Sequence, residues 1–548
     1  MHPFTRSIRP FAALLTMLGC GSPSVPNDGG LALDGEVADA SSDAAGLCGG
    51  DIALSEGMVR TASGVVRGVR VGEVWSYRGV PFAESPQPFT PPQPRACWDG
   101  VFEANAWPSA CVQMRFDGMP GSVPTGTPTG ESDCLALNVW APASAAAPRP
   151  VLVFIHGGGN QQGSTSEEQG GTPLYEGDLL AARQDVIVVT LQYRLGPFGY
   201  FAHPALADAA GHAGNYGLSD QIAGLRWVAD NIAALGGDPS RVMIFGESGG
   251  ALDVCALLAS PLTAGLFHAA IMESGGCLAT SRADAEAQAI EVATDLGCPE
   301  GSDRACLEGI TEEAWLAIIE PPLTGGRVGL AWGPTVDGHV LLDVPEAVIT
   351  RGEHQHVPFI IGTNADEMAA SVARTVTPDD VRRAFAVFGE YADELLALYP
   401  PGTTDAEARA AYVGATTDGQ FTCTARRIAA AAAASQDEPV FRYFFDHVPD
   451  TVAGRLLGAI HGLELLYVFS TYERTDYGPR ANDDDRAVAS LFGERWSALV
   501  GQGSPEGTPV WPSYDGTEPS LVIAGTPSVE TEIRRAECEV WEAIRAAP

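Results

Sequence analysis

Ser248 stands in Gly246-Glu247-Ser248-Gly249-Gly250, directly after the apolar run 241–245 and before a helical run, 251–259. A serine hydroxyl is a weak nucleophile until a base takes its proton and its surroundings accept the charge that develops on the attacked carbonyl. A strand, a sharp turn and a helix in succession supply those surroundings: the turn lifts the oxygen above a sheet, and the helix N-terminus faces the reacting carbonyl. The flanking glycines belong to the same geometry, because side chains there would collide in a strained turn. In a chain with 63 glycines the bare pattern is weak, and the strand before it and helix after it make it informative. A second element lies upstream, where His156-Gly157-Gly158-Gly159 follows the apolar run 151–155. Successive glycines let backbone N–H groups turn toward one point, as an oxyanion-binding loop requires.

The elements that must position these residues are legible in the hydropathy pattern. Short runs rich in Val, Ile and Phe recur at 151–155, 186–191, 242–245, 269–272, 357–361 and 440–445. Most do not alternate, which predicts strands buried on both faces, as in a parallel sheet. Between them lie helical patterns, such as Ile222, Leu225, Val228, Ile232 and Leu235 behind Ser219 and Asp220, which can cap a start. The alanine-rich stretch 428–434 reads as a packed helix. Strands alternating with helices predict an α/β fold on a doubly wound, mostly parallel sheet. No repeat of solenoid or propeller period interrupts it. After residue 47 no Pro/Gly/Ser-rich break is long enough to divide the chain, so residues 48–548 read as one large domain with insertions.

Further segments carry a resemblance to a known family. They are Arg78-Gly79-Val80-Pro81-Phe82-Ala83, Ser132-Asp133-Cys134-Leu135-Ala136-Leu137-Asn138-Val139-Trp140, Tyr193-Arg194-Leu195-Gly196, Gly214-Asn215-Tyr216-Gly217-Leu218-Ser219-Asp220-Gln221 and Gly236-Gly237-Asp238-Pro239. In this order, and together with the serine and glycine motifs, they resemble the type B carboxylesterases, the cholinesterase-like branch of the α/β-hydrolase fold. The resemblance implies Ser248 as nucleophile. It implies Glu367, in Gly362-Thr363-Asn364-Ala365-Asp366-Glu367, as the acid, and His461, in Ala459-Ile460-His461-Gly462-Leu463-Glu464, as the base. The order Ser, acid, His is that of an α/β hydrolase. The N–H groups of Gly158, Gly159 and Gly249 are implied as the oxyanion hole, and Glu247, Ser274 and Glu464 as groups packed around the histidine. Asp366 is the less favoured acid, and His447, His354 and His356 read as loop or surface histidines. The chain departs from the family at Gly249, where Ala is usual, at Gln192, where Asn is usual, and at Asn160, which is expected to put a polar group at the pocket.

Composition and the N-terminus bound where this chemistry occurs. Of 548 residues 45% are hydrophobic, which excludes a disordered or collagenous chain. The 32 basic residues are all Arg, against 69 Asp plus Glu, for a net charge of -37. Such a surface disfavours nucleic acid and electrostatic docking on an anionic bilayer. Arg6 and Arg9 precede a short apolar run, 11–18, too short to span a membrane. Met17-Leu18-Gly19-Cys20 resembles a bacterial lipoprotein box, so residues 1–19 are expected to be a signal peptide and Cys20 the lipidated residue. An ordinary signal peptide cut elsewhere is the alternative. Residues 20–47 lack the apolar side chains to order themselves and read as a flexible tether. The expected location is outside the cytoplasm, either secreted or anchored by lipid to a membrane and facing the periplasm or cell exterior.

Of 11 cysteines, one lipidated leaves ten, an even number that suits disulfides in an exported protein. The resemblance implies Cys111 with Cys134, Cys298 with Cys306 and Cys423 with Cys538. Cys255 with Cys277 and Cys48 with Cys97 then remain, a buried free thiol at Cys255 being the alternative. No metal or organic cofactor is expected, because triad chemistry needs none. The 111–134 loop has Phe116 but no Trp to seat a quaternary ammonium. The expected reaction is therefore hydrolysis of small to medium carboxylic esters and not of choline esters. Two alternatives stand beside it: a catalytically silent surface binding protein, and a related hydrolase of amides, carbamates or polyesters.

Overall fold

The computed structural model describes residues 48–117, 125–144, 148–169, 171–321, 323–324, 327–328 and 332–547. The expected signal peptide, lipidated Cys20 and tether lie outside these residues. The central sheet contains, in chain order, β1 (Val69–Val71), β2 (Val74–Pro81), β3 (Ala136–Pro142), β4 (Arg149–Ile155), β5 (Ile187–Leu191), β6 (Gly237–Glu247), β7 (Ala269–Glu273), β8 (Phe359–Asn364), β9 (Val440–Phe445), β10 (Pro519–Ile523) and β11 (Ser528–Thr531). Their spatial order is β11-β10-β9-β8-β7-β6-β4-β5-β3-β2-β1. From β5 across to β10 neighbouring strands are parallel. The edges, β3, β2 and β1 on one side and β11 on the other, are antiparallel.

The unbroken apolar runs have the cause the pattern implied, because β5, β7 and β9 are buried at every residue. Alternate residues feed two cores. On one face Val151, Val153 and Ile155 of β4 pack with helices α1 (Tyr216–Asn231), α2 (Gly249–Ala259) and α3 (Cys423–Ser435). On the other, Leu152 and Phe154 join Val488, Phe492, Trp496 and Leu499 of α4 (Asp483–Gln502). A smaller third cluster gathers Phe421, Cys423 and Trp541 beside α5 (Arg535–Ala546).

The topology fixes where a site can form. The chain leaves β4 for β5 on one side, then crosses back to place β6 on the other side of β4. At such a switch the loops leaving the carboxyl ends of two neighbouring strands part and open a crevice. The glycine run follows β4 and Ser248 follows β6, so both motifs meet at that crevice.

One local expectation is corrected. Helix α1 starts at Tyr216 behind Asn215, whose φ is 53°, one turn earlier than Ser219 and Asp220. Asp220 does not cap it, because its carboxylate accepts from Arg194 Nε and Nη2, both at 2.7 Å, in a buried pair. His447 and His354, read as loop or surface histidines, lie in loops and are buried. His447 is buried with Nε2 2.8 Å from Asp485 Oδ1, and His354 is buried with Nε2 2.9 Å from Gln436 Oε1. His356 is exposed.

Five disulfides tie the body: Cys48–Cys97, Cys111–Cys134, Cys255–Cys277, Cys298–Cys306 and Cys423–Cys538. Such bonds form and persist in oxidising compartments, which places the protein outside the cytoplasm. Among the described residues no helix is long and apolar enough to cross a membrane.

Candidate active site

Ser248 occupies the turn between β6 and α2 with φ 56° and ψ -119°, a conformation that a residue with a side chain adopts only when its surroundings impose it. Its N–H donates to the Glu273 carbonyl on β7 at 2.9 Å, and its own carbonyl accepts from Leu252 N at 3.0 Å, the first turn of α2. The glycines of the motif answer to space. A Cβ at Gly246 would meet the Gly250 backbone at 2.6 Å, and one at Gly250 would strike the Ile155 carbonyl oxygen at the end of β4.

The glycine run lies directly against this turn. Gly158, Gly159 and Asn160 have φ of 108°, 62° and 57°, and successive positive φ values curl backbone amides toward a common centre. A Cβ at Gly249 would be 2.8 Å from Gly159 N and 2.9 Å from Asn160 N. Glycine at 249, where the family usually has alanine, thus lets the loop approach the first turn of α2 this closely. A Cβ at Gly157 would be 3.1 Å from Ser248 Cβ. The loop's amides and the nucleophile turn therefore converge, and Asn160 N belongs to that group alongside the expected glycines.

His461 and Glu367 come together from the segments that follow β9 and β8. Glu367, fully buried, follows β8. One of its carboxylate oxygens accepts from Asn364 N at 2.7 Å, and the other lies 2.6 Å from His461 Nδ1. The ring's second nitrogen, Nε2, lies 3.1 Å from Glu247 Oε1 and has no hydrogen-bond partner in this arrangement. Phe421, in a π-helical turn (Asp418–Thr422) ahead of α3, packs on the imidazole with ring centroids 5.0 Å apart. The histidine is thus held by Glu367 on one edge and sits against the residue preceding Ser248 on the other. Nε2 makes no hydrogen bond to Ser248 in this arrangement; catalytic hydrogen bonds in free enzymes often tighten only when substrate aligns the pair.

Around the histidine lies an unusual density of buried carboxyls. Glu464 accepts from Asn364 Nδ2, and Ser274 Oγ is 3.5 Å from Glu464 Oε1. Glu273 was not singled out from the sequence, yet it is buried, accepts from Trp496 Nε1 at 2.7 Å, and pairs in register with Glu247 across β6 and β7. Its signal is a repeat: Glu273-Ser274-Gly275 at the end of β7 copies Glu247-Ser248-Gly249 at the end of β6. Burial pushes Glu247 up to about 7 against the pull of His461, pushes Glu273 up to about 8, and pushes Glu464 well above the ordinary carboxyl range. Burial opposes charge on His461 too, but Glu247, Glu367 and Glu464 prevail and push it up to about 10. The negative charge gathered beside the ring thus favours the protonated imidazole.

Asn160 is corrected in one respect. Its side chain does not face the pocket; it is buried, with Nδ2 donating to Asp253 Oδ1 at 2.9 Å and Oδ1 accepting from Tyr193 OH at 3.3 Å. The hairpin inside the Cys111–Cys134 loop docks beside the same segment. Phe116 N donates to Gln162 Oε1 at 2.7 Å, and Gly163 N donates to Gln113 Oε1 at 2.7 Å. Among the described residues no group of His, Cys, Asp and Glu side chains is arranged to hold a metal ion.

The family model for the carboxylesterase family matches residues 55–541. Para-nitrobenzyl esterase of Bacillus subtilis (strain 168) is 32% identical over 499 residues, 87% of this chain and 97% of that protein. Fumonisin B1 esterase of Sphingopyxis macrogoltabida is 34% identical over 480 residues, covering 83% and 84%. Cocaine esterase of Homo sapiens is 31% identical over 521 residues, covering 87% and 88%. The solved structure of a PNB esterase superposes with a TM-score of 0.75 at 30% identity, over 89% of this chain and 100% of that one. Family match, full-length relatives and fold agree: the chain belongs to the carboxylesterase family of α/β hydrolases and is a carboxylic ester hydrolase.

Proposed function

We propose that Ser248, His461 and Glu367 form the catalytic triad of this esterase and that it works through an acyl-enzyme. The observation that carries the reading is the 2.6 Å contact of His461 Nδ1 with buried Glu367, beside a strained serine turn onto which the glycine amides converge. His461 Nε2 takes the Ser248 proton as Oγ attacks the ester carbonyl, and the backbone N–H groups of Gly158, Gly159 and Gly249 bind the oxyanion. Glu367 fixes the ring's tautomer and stabilises its charged form. The imidazolium then protonates the leaving alcohol, and water repeats the sequence on the acyl-enzyme. Glu247 and Glu464 set the charge around the ring, and Ser274 packs against Glu464, none of the three touching substrate.

The substrate class is small to medium carboxylic esters, in keeping with relatives named for a nitrobenzyl ester, fumonisin B1 and cocaine. Residues 48–548 act as one domain, carried on a tether from a lipidated Cys20 at a bacterial membrane surface. Intact mass of the mature protein tests the anchor, which predicts a diacylated Cys20 as its first residue. The triad is tested with a fluorophosphonate probe followed by peptide mass spectrometry. The adduct is expected on Ser248, absent from Ser248→Ala and slowed in His461→Ala. A folded protein that takes no adduct, or takes it on another serine, would overturn the assignment.

A further inference from the structure

Helix α2 begins at the nucleophile, and five residues past Ser248 it carries Asp253, whose side chain is fully buried. Among the described residues no basic side chain pairs with that carboxyl. Instead it accepts from three neutral side chains on three separate segments: Asn160 Nδ2 at 2.9 Å, Gln221 Nε2 on α1 at 2.5 Å, and Tyr200 OH at 3.1 Å. Asn160 is held at further points. Its side-chain oxygen accepts from Tyr193 OH at 3.3 Å, and its carbonyl accepts from Gly196 N at 2.6 Å. Tyr193 OH also donates to the His156 carbonyl at 2.7 Å, at the start of the same loop.

This network has a geometric consequence at the reacting centre. Asn160 closes the run of positive φ that aims the loop's amides, and its own N lies with Gly159 N beside Gly249. Gly157, Gly158 and Gly159 have no side chains to lock them. Asn160 is the first side-chain handle after them, and Asp253 grips it from the helix whose first amide belongs to Gly249. We propose that Asp253 is a positioning residue for ester hydrolysis: through Asn160 it fixes the oxyanion loop to the nucleophile helix, so that both sets of donors move as one rigid body. Three hydrogen bonds from three separate segments hold the buried Asp253 carboxyl in one arrangement. Donor placement matters on this scale, since a displacement of about 1 Å at a reacting centre can cost about 100-fold in rate. Burial holds the Asp253 carboxyl up at about 7 against the three donors, so the neutral side chain of asparagine is a fair replacement for it.

The inference rests on the esterase reading above, and the test separates the two. In the full mature protein, kcat and KM for p-nitrophenyl butyrate are measured for wild type, Asp253→Ala, Asn160→Ala, the double variant and Asp253→Asn, with thermal melts as a check of folding. Asp253→Ala and Asn160→Ala are each expected to lower kcat about 10- to 100-fold while KM stays within about threefold, as when interactions made only in the transition state are lost. Because they break one hydrogen bond from its two ends, the double variant should be no slower than the worse single one. Asp253→Asn keeps an oxygen for Asn160 and should stay within about fivefold of wild type. Should Asp253→Ala not fold, Asn160→Ala breaks the same bond from the loop side and carries the test. Wild-type kcat in folded Asp253→Ala or in Asn160→Ala, losses that multiply in the double variant, or an Asp253→Asn as slow as Asp253→Ala would overturn the proposal. A folded wild type without Ser248-dependent turnover would instead overturn the esterase reading, and the positioning role would fall with it.

Discussion

Replacing Glu247 by glutamine removes a charge 3.1 Å from His461 Nε2 while keeping the side chain's size, and the pH dependence of hydrolysis reports the result. Both side chains are largely out of water, at 7% and 11% exposure. At that separation the pair's attraction is about 5 kcal/mol at an effective dielectric of about 20 and about 1 kcal/mol at that of water. At about 1.4 kcal/mol per pKa unit, loss of a full charge lowers the His461 pKa by between about 1 and about 4. Glu247 is itself pushed up to about 7, so near neutrality it carries only part of its charge, which favours the lower figure. The sign follows from the mechanism. His461 must be neutral to accept the serine proton, so activity rises as pH rises through its pKa. A carboxylate that raises this pKa moves the rising limb to higher pH, and Glu247→Gln moves it back to lower pH by about 1 unit or more. The assay is kcat/KM for p-nitrophenyl butyrate from about pH 5 to about pH 10, read at the isosbestic wavelength of p-nitrophenol. An unmoved limb, or one displaced to higher pH, would refute the electrostatic coupling described for this site.

Other substitutions probe separate parts of the account. Glu367→Gln leaves the ring in place but favours the wrong tautomer, and kcat should fall by about 10³- to 10⁴-fold in steady-state kinetics. Glu273 is pushed up to about 8 by burial, so the folded state binds its proton more tightly than the unfolded chain. That contribution to stability is complete below the ordinary carboxyl range and is lost as pH rises toward about 8, so Glu273→Gln should flatten this decline in melts compared across pH. Arg442 sits fully buried on β9 with no hydrogen-bond partner on Nε, Nη1 or Nη2. Arg442→Met should leave chemical-denaturation stability unchanged or raise it by about 1 kcal/mol or more, and a clear loss would show that the guanidinium is compensated.

The central strands and the nucleophile turn could be read from the chain because one physical cause dominates each. Strands covered on both faces have no reason to alternate, and β9 spans the same six residues as the apolar run 440–445. The serine turn leaves no room at Gly246 and Gly250, so the motif records its own packing. Side-chain directions and burial set by distant partners were not legible. Asn160 points inward because Asp253 lies 93 positions along the chain, and His447 is buried because Asp485 waits 38 positions away. Helix α1 starts ahead of Ser219 because Asn215 enters it with a left-handed backbone, while Asp220, a good cap by type, is taken by Arg194. Glu273 is marked in the sequence only by its Glu-Ser-Gly repeat, which gives no sign of which side chains surround the carboxyl. The register of β6 with β7 is what sets it opposite Glu247.

The most direct measurement of the central claim is p-nitrophenol release from p-nitrophenyl acetate and butyrate by the mature protein and by its Ser248→Ala variant, both shown to be folded by circular dichroism. The account predicts turnover by the wild type and a fall of several orders of magnitude, to about 10⁶-fold, in the variant. Equal release by the two proteins would contradict it, because the hydrolysis would then owe nothing to the serine about which the site is built.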